Sequence, residues 1–168
     1  MKKILVIFLP LIFLVTLSWC GSTTSTWQFP IGLNDSKNTV QSILGSSKGG
    51  IVDKIPWYPS SGVSITYDDF EKVESIYFKG NYGYEDWITY DGKIVEDIDL
   101  SMNFSELSRK LGQPIRIDKT EESYGWWTYS WKKSGILISA EIWIKDYEED
   151  GKKYPKNSIK TLDIEKVI

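Results

Sequence analysis

The stretch GWWTYSWKKSGILISAEIWI, from Gly125 to Ile144, decides the fold because its apolar residues alternate on both sides of a short turn. In a strand, side chains two positions apart lie on the same face. After the turn at Lys132–Gly135, every second residue is apolar, namely Ile136, Ile138, Ala140, Ile142 and Ile144. The sequence therefore predicts an antiparallel hairpin with this face in the core.

The aromatic residues of the hairpin divide between its two faces. Trp127, Tyr129 and Trp131 are predicted to pack in the core, where each ring buries roughly 150–250 Å². Trp126 and Trp143 fall on the mixed face, and we expect them to form a solvent-side aromatic pair across the strands. These two tryptophans are the candidate binding residues, and a purely structural role is the alternative.

Two short helices are indicated outside the hairpin. Asn34, Asp35 and Ser36 can cap a helix that runs from about Ser36 to Leu44 and stops at Gly45. The segment LSMNFSELSRKLGQP repeats this pattern, with Asn103 as the N-cap and Glu106 in a capping-box position. The two copies align Val40 with Leu107, Leu44 with Leu111, and Gly45 with Gly112.

Other strands follow from alternation and turn residues. Residues 61–78 predict a hairpin with Asp68-Asp69 at the turn, and residues 86–98 predict another around Asp91-Gly92. The charged segment Lys145–Ser158 reads as a loop, and a last strand follows it. Together these patterns predict an α+β fold of two tandem helix-plus-antiparallel-sheet units, 29–82 and 83–168.

The N-terminus reads as an export signal. Lys2 and Lys3 precede the apolar run Ile4–Leu17, which is shorter than the roughly 20 residues that span a bilayer. We therefore assign residues 1–19 to a signal peptide and residues 20–28 to a polar tether.

The single cysteine, Cys20, lies at the end of the apolar run. The letters LSWC followed by GS resemble a bacterial lipoprotein box, in which the cysteine is acylated and becomes the mature N-terminus. The resemblance implies a lipid attachment at Cys20 and a location in the bacterial cell envelope. The alternatives are a secretory signal cut near Ser22, giving a secreted or periplasmic protein, and an uncleaved anchor.

Composition excludes several kinds of chemistry. The chain has no histidine, which excludes Ser-His-Asp and Cys-His nucleophile systems and histidine-ligated zinc. Without Lys2 and Lys3, 18 basic and 23 acidic residues leave a net charge of −5, which argues against nucleic acid binding. Asp146, Glu148 and Asp150 imitate the start of a calcium loop, but Asn157 stands where the bidentate glutamate belongs. We predict no cofactor, no metal and no enzymatic activity.

The repeated unit [VL]-x-x-x-L-G, at Val40–Gly45 and Leu107–Gly112, resembles the helix end in the BamE/SmpA family of small outer-membrane lipoproteins. It is also similar to the tandem-repeat β-lactamase inhibitor protein. Much of the C-terminal half is similar to an uncharacterised bacterial domain family. These resemblances imply a helix-plus-sheet repeat and a binding role, and they transfer no functional residue.

The leading hypothesis is a non-enzymatic protein-binding or assembly module, anchored in the envelope, whose partner is another envelope protein. Exposed aromatic residues beside a sheet edge would make the contact. One alternative is an enzyme inhibitor or immunity protein with a concave aromatic and acidic surface. Another is a small-ligand or glycan binder that uses Trp126 and Trp143. A pocket in which several acidic groups converge would instead favour an enzyme that works with carboxylates alone.

Overall fold

The computed structural model describes residues 27–49, 55–80, 89–149 and 151–167. The predicted signal peptide, Cys20 and most of the predicted tether lie outside these residues. The last two residues of the predicted tether, Trp27 and Gln28, belong to the fold. Trp27 forms an isolated β-bridge with Val95. The Gln28 side-chain amide donates a hydrogen bond to the Asp97 carboxylate and accepts one from the Asp97 backbone N–H. Neither helix within the described ranges has the length and apolarity to cross a membrane.

Short helices and ten strands make up the described chain. The helices are α1 (Lys37–Leu44) and α2 (Phe104–Leu111), and single 3₁₀ turns occupy Pro59–Ser61 and Glu122–Tyr124. The strands are β1 (Lys48–Gly49), β2 (Pro56–Tyr58), β3 (Val63–Tyr67), β4 (Val73–Lys79), β5 (Arg116–Asp118), β6 (Trp126–Lys133), β7 (Ile136–Trp143), β8 (Tyr147–Glu149), β9 (Lys152–Tyr154) and β10 (Ile159–Lys166).

Eight of these strands form one antiparallel sheet in the order β1-β2-β3-β4-β10-β7-β6-β5. The strand nearest the C-terminus, β10, lies in the middle of the sheet. It pairs with β4 over Thr161–Glu165 and with β7 from Ile159 to Lys166. A separate small hairpin, β8–β9, is formed within the segment that the sequence analysis interpreted as a loop.

The prediction of two tandem helix-plus-antiparallel-sheet units is therefore wrong. In the part of the chain that the structure describes, the regular structure is mostly one antiparallel sheet, and two short helices pack on it. The physical reason is that the two repeated sequence segments determine only where each helix ends. The architecture depends on the long-range pairing of β10 with β4 on one side and with β7 on the other. The proposed boundary between residues 82 and 83 lies in a segment outside the described residues.

The local predictions for the two helices are confirmed. The Ser36 side chain accepts a hydrogen bond from the Thr39 amide at the start of α1. Asn103 and Glu106 form the predicted capping box at the start of α2. Both helices end at a glycine with positive φ, 81° at Gly45 and 85° at Gly112, a conformation that disfavours any side chain.

The hydrophobic core lies between the helices and one face of the sheet. The strands contribute every second residue, as the alternation of β3, β4, β6, β7 and β10 predicts. The Phe104 ring of α2 lies 4.4 Å from the Tyr129 ring, and the Trp131 indole donates to the Gly112 carbonyl. The core residues include Val40, Val63, Ile65, Ile76, Phe78, Leu107, Trp131, Ile138, Ile142, Leu162 and Ile164.

The prediction of a hairpin at residues 86–98 is wrong for residues 89–98, which are the part of it that the structure describes. Trp87 lies outside the described residues, and no strand forms from residue 89 to 98. The chain turns instead at Glu96 and Asp97, which have φ values of 52° and 57°, and Val95 bridges Trp27. Ile94 and Ile98 are fully buried, so core packing overrides the turn propensity of Asp91-Gly92.

Candidate functional site

The sheet face away from the helices, here called the open face, carries a line of polar side chains across neighbouring strands. Tyr77 on β4 lies directly opposite Asp163 on β10, and Asp163 lies opposite Ser139 on β7. Ser139 lies opposite Ser130 on β6, and Ser130 lies opposite Arg116 on the edge strand β5. Because opposed side chains lie about 5 Å apart, these groups form one continuous surface.

A groove of about 410 Å³ runs along this line. Four acidic side chains line it: Glu141, Asp163 and Glu165 on β7 and β10, and Asp118 at the β5 end. The Tyr77 phenol and the hydroxyls of Ser130 and Ser139 complete the polar lining. The two serine hydroxyls are hydrogen-bonded to each other at 3.0 Å. The groove is therefore acidic on its β10 side and is lined by hydrogen-bonding groups along its length.

Asp163 is the most perturbed acid of the groove. Burial raises its pKa to about 8, and a hydrogen bond to Glu165 and the negative charges of Glu165 and Glu141 act in the same direction. The raised pKa favours the protonated form of this carboxyl at neutral pH. Its Oδ1 atom is buried and finds no hydrogen-bond partner among the described residues. Such an atom costs stability, which marks the position as a candidate for function.

Tyr77 and Lys79 flank the acidic groups on β4. Burial and the charges of Glu141 and Asp163 raise the pKa of Tyr77 to about 12, although a hydrogen bond with the Thr161 side chain lowers it in part. The phenol is thus a hydrogen-bond donor at any physiological pH. Burial and the charge of Lys160 lower the pKa of Lys79 to about 8. The open face therefore presents neutral donors as well as charges.

A β-bulge sets the position of Lys160. The register of β10 against β7 shifts between Ile159 and Thr161. The Lys160 Nζ then lies 2.6 Å from the Glu141 carboxylate and 3.8 Å from the centre of the Trp126 ring. This lysine joins the acidic groove to the aromatic end of the open face.

The structure brings the two predicted binding residues, Trp126 and Trp143, directly opposite each other, with ring centres 5.6 Å apart. The expectation that both rings face solvent is wrong for Trp143, which is fully buried. The rings of Tyr147 and Tyr154 cover it, at 4.5 and 5.8 Å. A glycan platform requires accessible ring faces, and Trp143 does not provide one.

Trp126 is half-buried and stacks on Tyr124 at 5.5 Å. Tyr124 is 63 % exposed and is the accessible ring at this end of the open face. Tyr124 was not predicted as a site residue, because it lies in a 3₁₀ turn just before β6. The groove was not predicted either, although Thr161, Asp163 and Glu165 alternate with the apolar Leu162 and Ile164 and so share the polar face of β10.

No group of histidine, cysteine, aspartate or glutamate side chains within the described ranges is arranged to hold a metal ion. Of the three acidic residues that imitate the start of a calcium loop, Glu148 lies in β8 and Asp146 directly precedes it. Asp150 lies outside the described residues. The Asp146 carboxylate accepts a hydrogen bond from the Lys156 amide, which gives it a structural role.

No protein-family model matches this sequence, and neither a curated protein nor a solved structure matches it significantly. The resemblances to the BamE/SmpA family and to the β-lactamase inhibitor protein therefore stay predictions.

Proposed function

We propose that this chain is a non-enzymatic binding module of the bacterial cell envelope and that it docks another envelope protein on the open face. The single observation that carries the proposal is the groove on the open face, where hydrogen-bonding side chains of four neighbouring strands meet the carboxyl groups of Glu141, Asp163 and Glu165. A docked protein can donate hydrogen bonds to these carboxyl groups and exchange hydrogen bonds with the Tyr77, Ser130 and Ser139 hydroxyls.

The surroundings of the groove suit a protein partner. Protein interfaces combine an apolar or aromatic contact area with a polar rim and about one hydrogen bond per 100–200 Å². Here Tyr124 and the 65 % exposed Ile115 provide apolar contact, and the groove provides the donors and acceptors. The location and the lipid anchor at Cys20 remain part of the proposal and rest on the N-terminal sequence alone.

The test places a bulky cation in the groove. Ser139→Arg fills its floor next to Asp163, and Gln41→Arg puts the same side chain on the exposed surface of α1, on the other side of the sheet. Cells expressing each form are cross-linked, and co-purified envelope proteins are quantified by mass spectrometry. We expect a specific partner with the unmodified chain and with Gln41→Arg, and its loss with Ser139→Arg. Absence of any specific partner, or equal capture by both variants, would contradict the proposal.

The captured partner distinguishes two kinds of binding. An assembly factor or another structural envelope protein supports the assembly role. A hydrolase or a toxin supports the inhibitor or immunity role, for which the acidic groove beside Tyr124 is the expected concave surface. In the latter case, purified protein should inhibit the captured enzyme, and Ser139→Arg should not.

A second candidate function is supported by the convergence of Glu141, Asp163 and Glu165. A carboxylic acid with a pKa near 8 can donate a proton at neutral pH, as the general acids of several hydrolases do. The corresponding test screens envelope polysaccharides for turnover. Hydrolysis by the unmodified chain that Asp163→Asn abolishes would establish an enzyme and displace the binding proposal.

A further inference from the structure

We infer that two copies of this chain pair through their edge strands β5, antiparallel and around a twofold axis at Ile117. β5 is the last strand of the sheet order, and among the described residues it pairs only with β6. No strand of the described ranges covers its other side, which is a backbone edge of the kind that pairs readily with another strand. This inference goes beyond the proposed function, because it concerns the backbone edge of β5, whose side chains Arg116 and Asp118 also form one end of the groove.

The charges of β5 are complementary to themselves under this symmetry. An antiparallel pair centred on Ile117 places Arg116 opposite the partner's Asp118, and Asp118 opposite the partner's Arg116. Within one chain these two side chains already form an ion pair of 2.8 Å on the open face. Across the axis, each carboxylate would contact two guanidinium groups, an alternating arrangement without like charges in opposition.

The apolar residue of β5, Ile117, also favours pairing with a second copy of the chain. Ile117 is 49 % exposed and would lie directly opposite the partner's Ile117, so that both side chains lose contact with water. Exposed strand edges are usually protected by charged side chains, a proline, a bulge or a short strand. The two charges of the short strand β5 are opposite in sign, so they repel a second copy in parallel register and attract one in antiparallel register.

Pairing would also change the groove. Arg116 and Asp118 line the end of the groove at β5. Since the twofold axis is perpendicular to the sheet, both open faces point the same way and the two grooves become continuous across the axis. A partner protein would then meet one surface formed by two copies.

The experiment uses full-length chains in detergent and measures mass by sedimentation equilibrium. Arg116→Asp makes the edge entirely acidic, and Asp118→Arg makes it entirely basic. We expect each variant alone to dissociate at least about tenfold more readily than the unmodified chain. An equimolar mixture of the two should associate again, because acidic edges then face basic ones. Circular dichroism verifies that both variants fold.

A second measurement locates the axis. With Cys20 replaced by serine, Ile117→Cys should form a disulfide between two copies, because residues opposed across antiparallel strands have Cα atoms about 4.5–5.5 Å apart. Ile43→Cys on α1 is the control, since Ile43 is similarly exposed at 47 %. A monomeric unmodified chain, a mixture that stays dissociated, or equal cross-linking at both positions would overturn the inference. The groove proposal is judged separately, by partner capture with Ser139→Arg and Gln41→Arg, both of which keep Arg116 and Asp118 unchanged.

Discussion

Asp163 shows how one residue can set the pH dependence of a fold. The carboxyl keeps its proton in the folded chain up to a pH of about 8, because burial, Glu165 and Glu141 all raise its pKa, whereas the unfolded chain releases that proton near pH 3.9. Between these values the folded state binds more protons than the unfolded state. The contribution of Asp163 to stability is therefore full below about pH 4 and is lost as the pH rises towards 8.

We predict that Asp163→Asn removes this dependence. Between pH 5 and pH 8 the free energy of unfolding of the unmodified chain should fall relative to the variant, by up to ~1.4 kcal/mol per pH unit. Urea titrations at both pH values measure the difference. Glu74→Gln, a change at an exposed carboxylate of the same strand pair, is the control and should leave the pH profile unchanged. Parallel profiles for Asp163→Asn and the unmodified chain would refute the assignment.

At the scale of elements, the hairpin β8–β9 acts as a cover over the aromatic end of the open face. Its rings Tyr147 and Tyr154 lie on Trp143 and bury it completely. The segment is charged and punctuated by Gly151 and Pro155, so its sequence resembles a solvated loop. Only the two tyrosines, at the ends of the hairpin, indicate that one side of it is apolar.

We predict that Trp143→Ala destabilises the fold by about 3–5 kcal/mol, the usual cost of removing a large buried ring. Trp126→Ala, across the strand pair, should cost clearly less because Trp126 is only half-buried. Thermal or urea denaturation compares the two variants. If both substitutions were nearly neutral, the hairpin would not cover Trp143 in solution, and an aromatic binding platform would again be reasonable.

Elements were predictable wherever a local pattern was sufficient. The capping residues Ser36 and Asn103 and the glycines that end both helices predicted α1 and α2 within a residue or two. The alternation around Gly135 predicted β6, β7 and the core position of Trp131. The bulge at Lys160 was not predictable, because it depends on how β10 meets β7 and no local residue pattern records that register.

At the scale of the whole molecule, the central position of β10 makes one cooperative sheet out of two hairpins. Leu162 lies opposite Phe78 on one side and Ala140 on the other. The central position of β10 could not be predicted, because the residues Ile159–Lys166 do not indicate which strands pair with them, and the last strand of a sheet can lie at its edge or at its centre. The groove was missed for the same reason, since its acids converge only after β10 is inserted.

We predict that Leu162→Pro abolishes cooperative unfolding of the entire sheet, because proline removes a backbone donor from a strand paired on both sides. Hydrogen exchange should show lost protection in β3 and in β6 together. Lys153→Pro is the control, since it lies in the small β8–β9 hairpin and should leave the main sheet protected. If protection were lost in only one of the two strands β3 and β6, the strands on the two sides of β10 would fold independently, which would contradict the prediction.

The place of β10 has a consequence for biosynthesis. Of the described strands, β10 is synthesised last, although it lies between β4 and β7 in the sheet. The complete sheet therefore cannot form until residues 159–166 have left the ribosome. If the N-terminal segment directs export as predicted, this order of synthesis favours a chain that is still incompletely folded when it reaches the translocon.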